Sequence, residues 1–279
     1  MSRYLLESLS LPCGVALALS VASGCTELKD GSAPSPGDAF SLTNNGSGPD
    51  AGFTSEGTAF QCSASEQAPD DDPPERVIHR MFIGDTTTTT APDSLRVVAC
   101  ALIDVNCENP VTPPVGPDDE RAITLELPYD FDGFFEITSD ETVPALYFLP
   151  QGIREDTFAS PLGLISPSAL DALAALNGIT LDMNKGLLLV RTYDCDDQPA
   201  AGVSLESNRE GEIFMFVGGL PIIGAEETRA DGIGGYINVP RGLVRIEGTH
   251  VASGRAAGAA SLVVREQWMT YGDLHPSRP

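Results

Sequence analysis

Lysine is almost missing from this chain. Only Lys29 and Lys185 occur among 279 residues, and with arginine they make 16 cations against 40 carboxylates. The formal net charge of −24 leaves no basic face of the kind that supplies most nucleic-acid affinity, so no nucleic-acid partner is expected. It equally removes the polybasic attraction that holds proteins on anionic membranes. Histidine is scarce (His79, His250 and His275), and no two cysteines form a CxxC pair, which argues against a zinc centre. No unbroken apolar run is long enough for a spanning helix. GxSxG, HExxH and GxxxxGK[ST] are all absent, so the usual nucleophile elbow, metalloprotease helix and phosphate loop are missing. Gly232-Ile233-Gly234-Gly235 enters a strand, not a helix, and lacks the N-terminus a phosphate needs. The expectation is a non-enzyme with no cofactor and no catalytic, cofactor-binding or metal-ligating residue.

The beginning of the chain is informative. Arg3 precedes an apolar stretch, Leu9–Ala22, which Pro12 and Gly14 interrupt and small residues close. This outline predicts an export signal over residues 1–24. The tetrad Ala22-Ser23-Gly24-Cys25 resembles the lipobox of bacterial lipoproteins. That resemblance implies lipidation of Cys25, membrane attachment through its lipid and, with Thr26 next, the outer membrane. Stable anchoring needs more than one acyl chain.

Residues 25–93 are rich in Ser, Gly, Pro, Thr and Asp, including Asp70-Asp71-Asp72 and Thr86–Thr90. Such composition buries too little apolar surface to offset ordering, and a disordered acidic tether is expected. Val77–Ile83 is an exception that reads as a strand or a docking segment. With Cys13 and Cys25 assigned to the signal and its end, Cys62, Cys100, Cys107 and Cys195 remain. Two disulfides are expected in an exported chain, in any of three pairings.

The rest reads as mainly β. Residues 94–153 are expected to form a first β-sandwich domain. Within it, Ala122–Leu127 alternates apolar and polar side chains, the period of a strand with one covered face. Phe134–Thr138 is read as its hairpin partner, and Val143–Leu149 as another strand. Residues 154–185 form a connector, with a short helix that Ser166-Pro167 opens and Asn177-Gly178 closes. Residues 186–275 form a second sandwich, beginning with a hairpin over Gly186–Leu205 whose turn is Asp194–Pro199. The two halves repeat an order of parts, which suggests duplication of a small Greek-key sandwich.

In the second half, Tyr193-Asp194-Cys195-Asp196-Asp197-Gln198-Pro199-Ala200-Ala201-Gly202-Val203 is followed by Thr228-Arg229-Ala230-Asp231-Gly232 with Tyr236, then Val239-Pro240-Arg241-Gly242. These motifs resemble carboxypeptidase regulatory-like domains, small sandwiches related to transthyretin. The resemblance implies a non-catalytic accessory, adhesive or spacer module.

Carboxylates cluster at Asp130 with Asp132, at Asp194 with Asp196 and Asp197, and at Asp104 with Glu108. Turn carboxylates commonly cap their own backbone, and calcium ligation is the second reading. Trp268 with Tyr271, and Tyr129 with Phe131, Phe134 and Phe135, offer a sugar platform or, more simply, core. The functional expectation is a lipid-anchored envelope protein displaying binding or structural modules for an envelope protein or glycan. A specificity subunit of an envelope hydrolase, or a carbohydrate-binding module, is the alternative.

Overall fold

The computed structural model describes residues 57–62, 73–86 and 90–277. Cys25, the signal and Asp70–Asp72 lie outside them. Among the described residues no helix is long and apolar enough to cross a membrane.

The fold is mainly β and has three layers. Its central sheet has eight strands: β2 (Arg96–Ala101), β4 (Gly133–Thr138), β5 (Ala145–Phe148), β7 (Lys185–Thr192), β9 (Glu212–Val217), β10 (Leu220–Ile223), β11 (Ile233–Pro240) and β14 (Met269–Leu274). Their order across the sheet is β10-β9-β11-β7-β14-β5-β4-β2. One face carries a small sheet in which β1 (Arg76–Asp85) lies between β3 (Ala122–Pro128) and β6 (Thr157–Leu164). The other carries a sheet in which β12 (Gly242–His250) lies between β8 (Val203–Ser207) and β13 (Arg255–Val264).

Two apolar cores fill the spaces between layers. Ile123, Leu125, Phe135, Ile137, Tyr147 and Tyr271 belong to the first. Phe134, Leu146, Leu188, Met215, Val244 and Ile246 belong to the second. Adjacent residues of one strand thus enter different cores: Phe134 and Phe135 on β4, Leu146 and Tyr147 on β5. A strand covered on both faces has no need of polar positions, and every residue of β5 and β14 is buried. Strand β3 is covered on one face only and alternates, with Thr124 and Glu126 exposed.

The last strand joins the halves. β14 pairs in parallel with β5 through Met269↔Ala145, and with β7 through Met269↔Leu187 to Leu274↔Thr192. The two sandwich-like halves therefore share one continuous sheet.

Three expectations need correction. The folded part begins before residue 94, because β1 is the middle strand of its sheet, pairing with both β3 and β6. The expected hairpin of Ala122–Leu127 with Phe134–Thr138 does not form: β3 pairs with β1, and β4 pairs with β2 and β5. Likewise β7 and β8 stand in different layers, so Gly186–Leu205 is a corner between sheets. Asp, Pro and Gly mark where a chain reverses, but not whether it returns to the same sheet.

The helix α1 (Pro167–Leu176) forms where expected. The Ser166 hydroxyl accepts from the Ala169 amide, Pro167 opens the first turn, and Asn177 caps the end, satisfying amides and carbonyls the helix leaves unpaired.

Candidate functional site

All four remaining cysteines pair, as Cys62–Cys195 and Cys100–Cys107. The first bond ties the amino-terminal segment to the corner after β7. There the Cys195 amide also donates to the Ala59 carbonyl at 2.9 Å. Phe60, two residues before Cys62, is buried and stacks on His250 with centroids 4.5 Å apart. The carboxyl-terminal segment reaches the same corner: Cys62 Sγ lies 3.9 Å from the Pro276 carbonyl oxygen. His275 stacks on Tyr193 at 4.6 Å, with Nδ1 3.1 Å from Asp197 Oδ1.

The motifs of the second half meet beside this corner. The buried Thr228 hydroxyl donates to the Ala200 carbonyl at 2.8 Å and accepts from the Val203 amide at 3.1 Å. Thr192 Oγ1 reaches the Ala200 and Gly232 carbonyls at 2.9 and 3.0 Å. Asp231 Oδ1 accepts from the Ile233 amide at 3.1 Å. The turn around Gly202 and the turn around Gly232 are thus bonded into one unit under β7.

The acidic turns cap themselves. Asp104 accepts from the Glu108 and Asn109 amides at 3.0 and 2.7 Å. Asp194 Oδ1 accepts from the Asp196 and Gln198 amides, each at 2.9 Å. Asp130 pairs with Arg154 at 2.8 Å. Among the described residues the one tight group of potential metal ligands is Cys100, Cys107 and Glu136. Two of its members are spent in a disulfide, and Arg265 engages the third.

Most of the aromatic residues considered as a sugar platform are core. Phe131, Phe134, Phe135 and Tyr271 are buried, while Tyr129 and Trp268 are partly so. Arg265 covers Trp268 at 4.8 Å from the ring centroid.

Sequence reasoning missed the buried polar groups. Arg191 on β7 and Asp273 on β14 form a two-pronged ion pair at 2.7 and 2.8 Å, to which the Tyr147 hydroxyl adds a 3.0 Å bond. Burial and the Asp273 charge push the Tyr147 hydroxyl far above the ordinary range. Burial works against the Arg191 charge, but Asp273 outweighs it and keeps the guanidinium protonated. His79 is buried against Phe135, with Nδ1 2.7 Å from Thr157 Oγ1 and no partner on Nε2 among the described residues. Burial lowers its pKa to about 4. The alternating pattern of β1 could have located His79 on the inner face; no pattern announced the Arg191 pair.

One open cleft of about 570 Å³ is lined by Ala91, Asp93, Arg96, Gly116, Asp118, Asp119 and Arg121, among others. It lies where β2 begins, because Arg96 pairs with Thr138 while Ala101 pairs with Gly133. Following the pairings across β4, β5 and β14 puts Arg96 at the end of the sheet opposite Leu274 and the Cys62–Cys195 corner.

No family model matches the sequence, and no curated protein matches it. Among solved structures, the chain is similar to the Bacillus anthracis TIE protein, with 11% identity over 72% of this chain and 34% of that one, at a TM-score of 0.24. The chain thus spans about a third of that structure. A Streptococcal ancillary pilin matches at 10% identity over 72% of this chain and 68% of that one, at a TM-score of 0.24. The shaft pilin SpaA from Lactobacillus rhamnosus GG matches at 9% over 74% and 98%, at 0.23. These overlays assign no residue a role.

Proposed function

We propose that this chain is an exported, lipid-anchored envelope protein whose β-sandwich modules bind or build without catalysing a reaction. The observation that carries this reading is the pair of disulfides in the described body. Such bonds persist in oxidising compartments outside the cytoplasm, which fits the signal and lipobox read from residues 1–25. The bonded turns at Gly202 and Gly232 support kinship with the carboxypeptidase regulatory-like modules that the sequence resembles. The ionisable groups in the layers support a structural task. His79 and His250 are stacked on phenylalanines, and Asp273 is taken up by Arg191 and Tyr147. Attachment to the outer membrane through Cys25 is part of the proposal, with an envelope protein or glycan as the partner.

Metabolic labelling with an alkyne fatty acid tests the anchor. The wild-type chain takes up label and moves with the membrane fraction, whereas Cys25→Ala is unlabelled. Equal labelling of both forms rejects lipidation at Cys25.

A further inference from the structure

We propose that the cleft at the start of β2 binds a zwitterionic amino-acid or short-peptide group, its carboxylate on Arg96 and Arg121 and its ammonium on Asp93 and Asp119. The proposal rests on the display reading above and supplies the ligand class for it.

Two arginines converging on one concave site point to this cleft. Arg76, Arg80, Arg154, Arg191, Arg229, Arg241, Arg245 and Arg265 each stand within 4 Å of a carboxylate. Arg96 and Arg121 line the cleft together with three aspartates, yet no ion pair joins either of them to a described carboxylate. Arg209 and Arg255 also have no carboxylate within 4 Å among the described residues, so what sets Arg96 and Arg121 apart is that the two line one concave site.

Both are positioned by local structure. The Arg96 guanidinium donates to the Leu95 carbonyl at 2.6 Å and lies against Gly116. A Cβ there would come within 3.0 Å of Nη1, so glycine makes the room the guanidinium occupies. Arg121 has φ +62°, and its amide donates to the Asp118 carbonyl at 2.9 Å. Asp118 Oδ1 fixes that turn by accepting from the Glu120 and Ala122 amides, and its Oδ2 faces Arg80 at 3.7 Å. Asp118 is therefore engaged within the protein, whereas Asp93 and Asp119 are exposed on the cleft.

Charge selects the ligand class. Guanidinium offers paired N–H donors that match a carboxylate. A purely anionic ligand meets both the cleft aspartates and the field of a −24 chain, which slows and weakens its approach. A purely cationic ligand gains nothing from the arginines. A group carrying both charges finds a partner of each sign in the cleft lining. The cleft also opens at the end of the sheet opposite the corner where the amino-terminal segment is stapled, the end that a tether would leave accessible.

The test is NMR titration of the full chain with alanyl-alanine, N-acetyl-alanyl-alanine and alanyl-alanine amide, following the Gly116 and Ala122 amides. The zwitterionic dipeptide is expected to give saturable shifts with Kd in the roughly millimolar range. Each blocked form should bind about ten-fold or more weakly. Arg96→Gln and Arg121→Gln should each weaken alanyl-alanine by a similar factor, with spectra otherwise unchanged. No saturation below about 50 mM overturns the proposal. So does equal binding of the acetylated dipeptide, or binding that survives both substitutions. A soluble dipeptide binds without regard to acylation, so this result and the Cys25 labelling result fail separately.

Discussion

Arg191 and Asp273 are register partners on neighbouring parallel strands, and their side chains form a two-pronged bond at 2.7 and 2.8 Å where the two halves of the central sheet meet. Their side chains are 16% and 6% exposed. Taking one charge away leaves the other buried and alone, at a cost of about 3–5 kcal/mol. Asp273→Asn and Arg191→Met are each expected to lower urea stability by that order. The double variant Arg191→Met with Asp273→Leu should recover most of the loss, because well-packed apolar pairs commonly match buried ion pairs. A double-mutant cycle measures this; additive losses would contradict it.

Acid should weaken the first half through His79. Its folded pKa of about 4 lies below the ordinary histidine value of 6.5. The unfolded chain therefore binds the extra proton first as pH falls. Stability is full above pH 6.5 and declines between 6.5 and about 4, by on the order of 3 kcal/mol in all. Relief of repulsion among the carboxylates acts in the opposite direction, so the informative quantity is a difference. His79→Phe should remove the histidine contribution and flatten the urea midpoint across that window relative to wild type.

The two disulfides should differ in worth. Cys62–Cys195 closes a loop with a separation of 133 residues, against 7 for Cys100–Cys107. Chain-entropy arguments give about 5 kcal/mol for the long loop and about 2 kcal/mol for the short one. Thermal melts of Cys62→Ser/Cys195→Ser and Cys100→Ser/Cys107→Ser should rank in that order, with the reverse ranking as the contrary result.

Gly232 sits at φ +65°, and a Cβ there would lie 2.6 Å from the Thr192 carbonyl oxygen and 2.9 Å from the Ala200 amide nitrogen. Both neighbours are backbone and belong to the bonded pair of turns, so neither can yield cheaply. Gly232→Ala is expected to cost about 2 kcal/mol or more. Gly178→Ala is the control: its φ is +68° but its surroundings are open, so only the backbone term remains. Calorimetric unfolding of the two variants separates crowding from backbone strain.

Strand identity was legible where physics acts locally. The alternation of Ile123, Leu125 and Leu127 follows from β3 having one covered face, and Ser166-Pro167 opens α1 because capping depends on near neighbours. The uninterrupted run of Ala145–Phe148 was recognisable as a strand, but its cause was not, because that lies in two cores contributed by distant segments. Partner choice was misread at Pro128–Gly133 and Tyr193–Gly202, where corners between layers carry the same turn residues as hairpins. The cleft was invisible for a similar reason: Arg96 and Arg121 are 25 positions apart in sequence and line one cleft only after folding, which pairs Val97 with Val115.

Because the Cys62–Cys195 bond encloses the whole of β1 to β7 within a covalent loop, tension arriving from the amino-terminal side enters the body at Cys195. Drawn against the neighbouring Pro276 side, that tension would peel β14 from β7 one hydrogen bond at a time. Drawn against a load held at the far end of the sheet, it would run along the strands and strain many hydrogen bonds at once. The same molecule would then yield readily in one direction of pull and resist in the other.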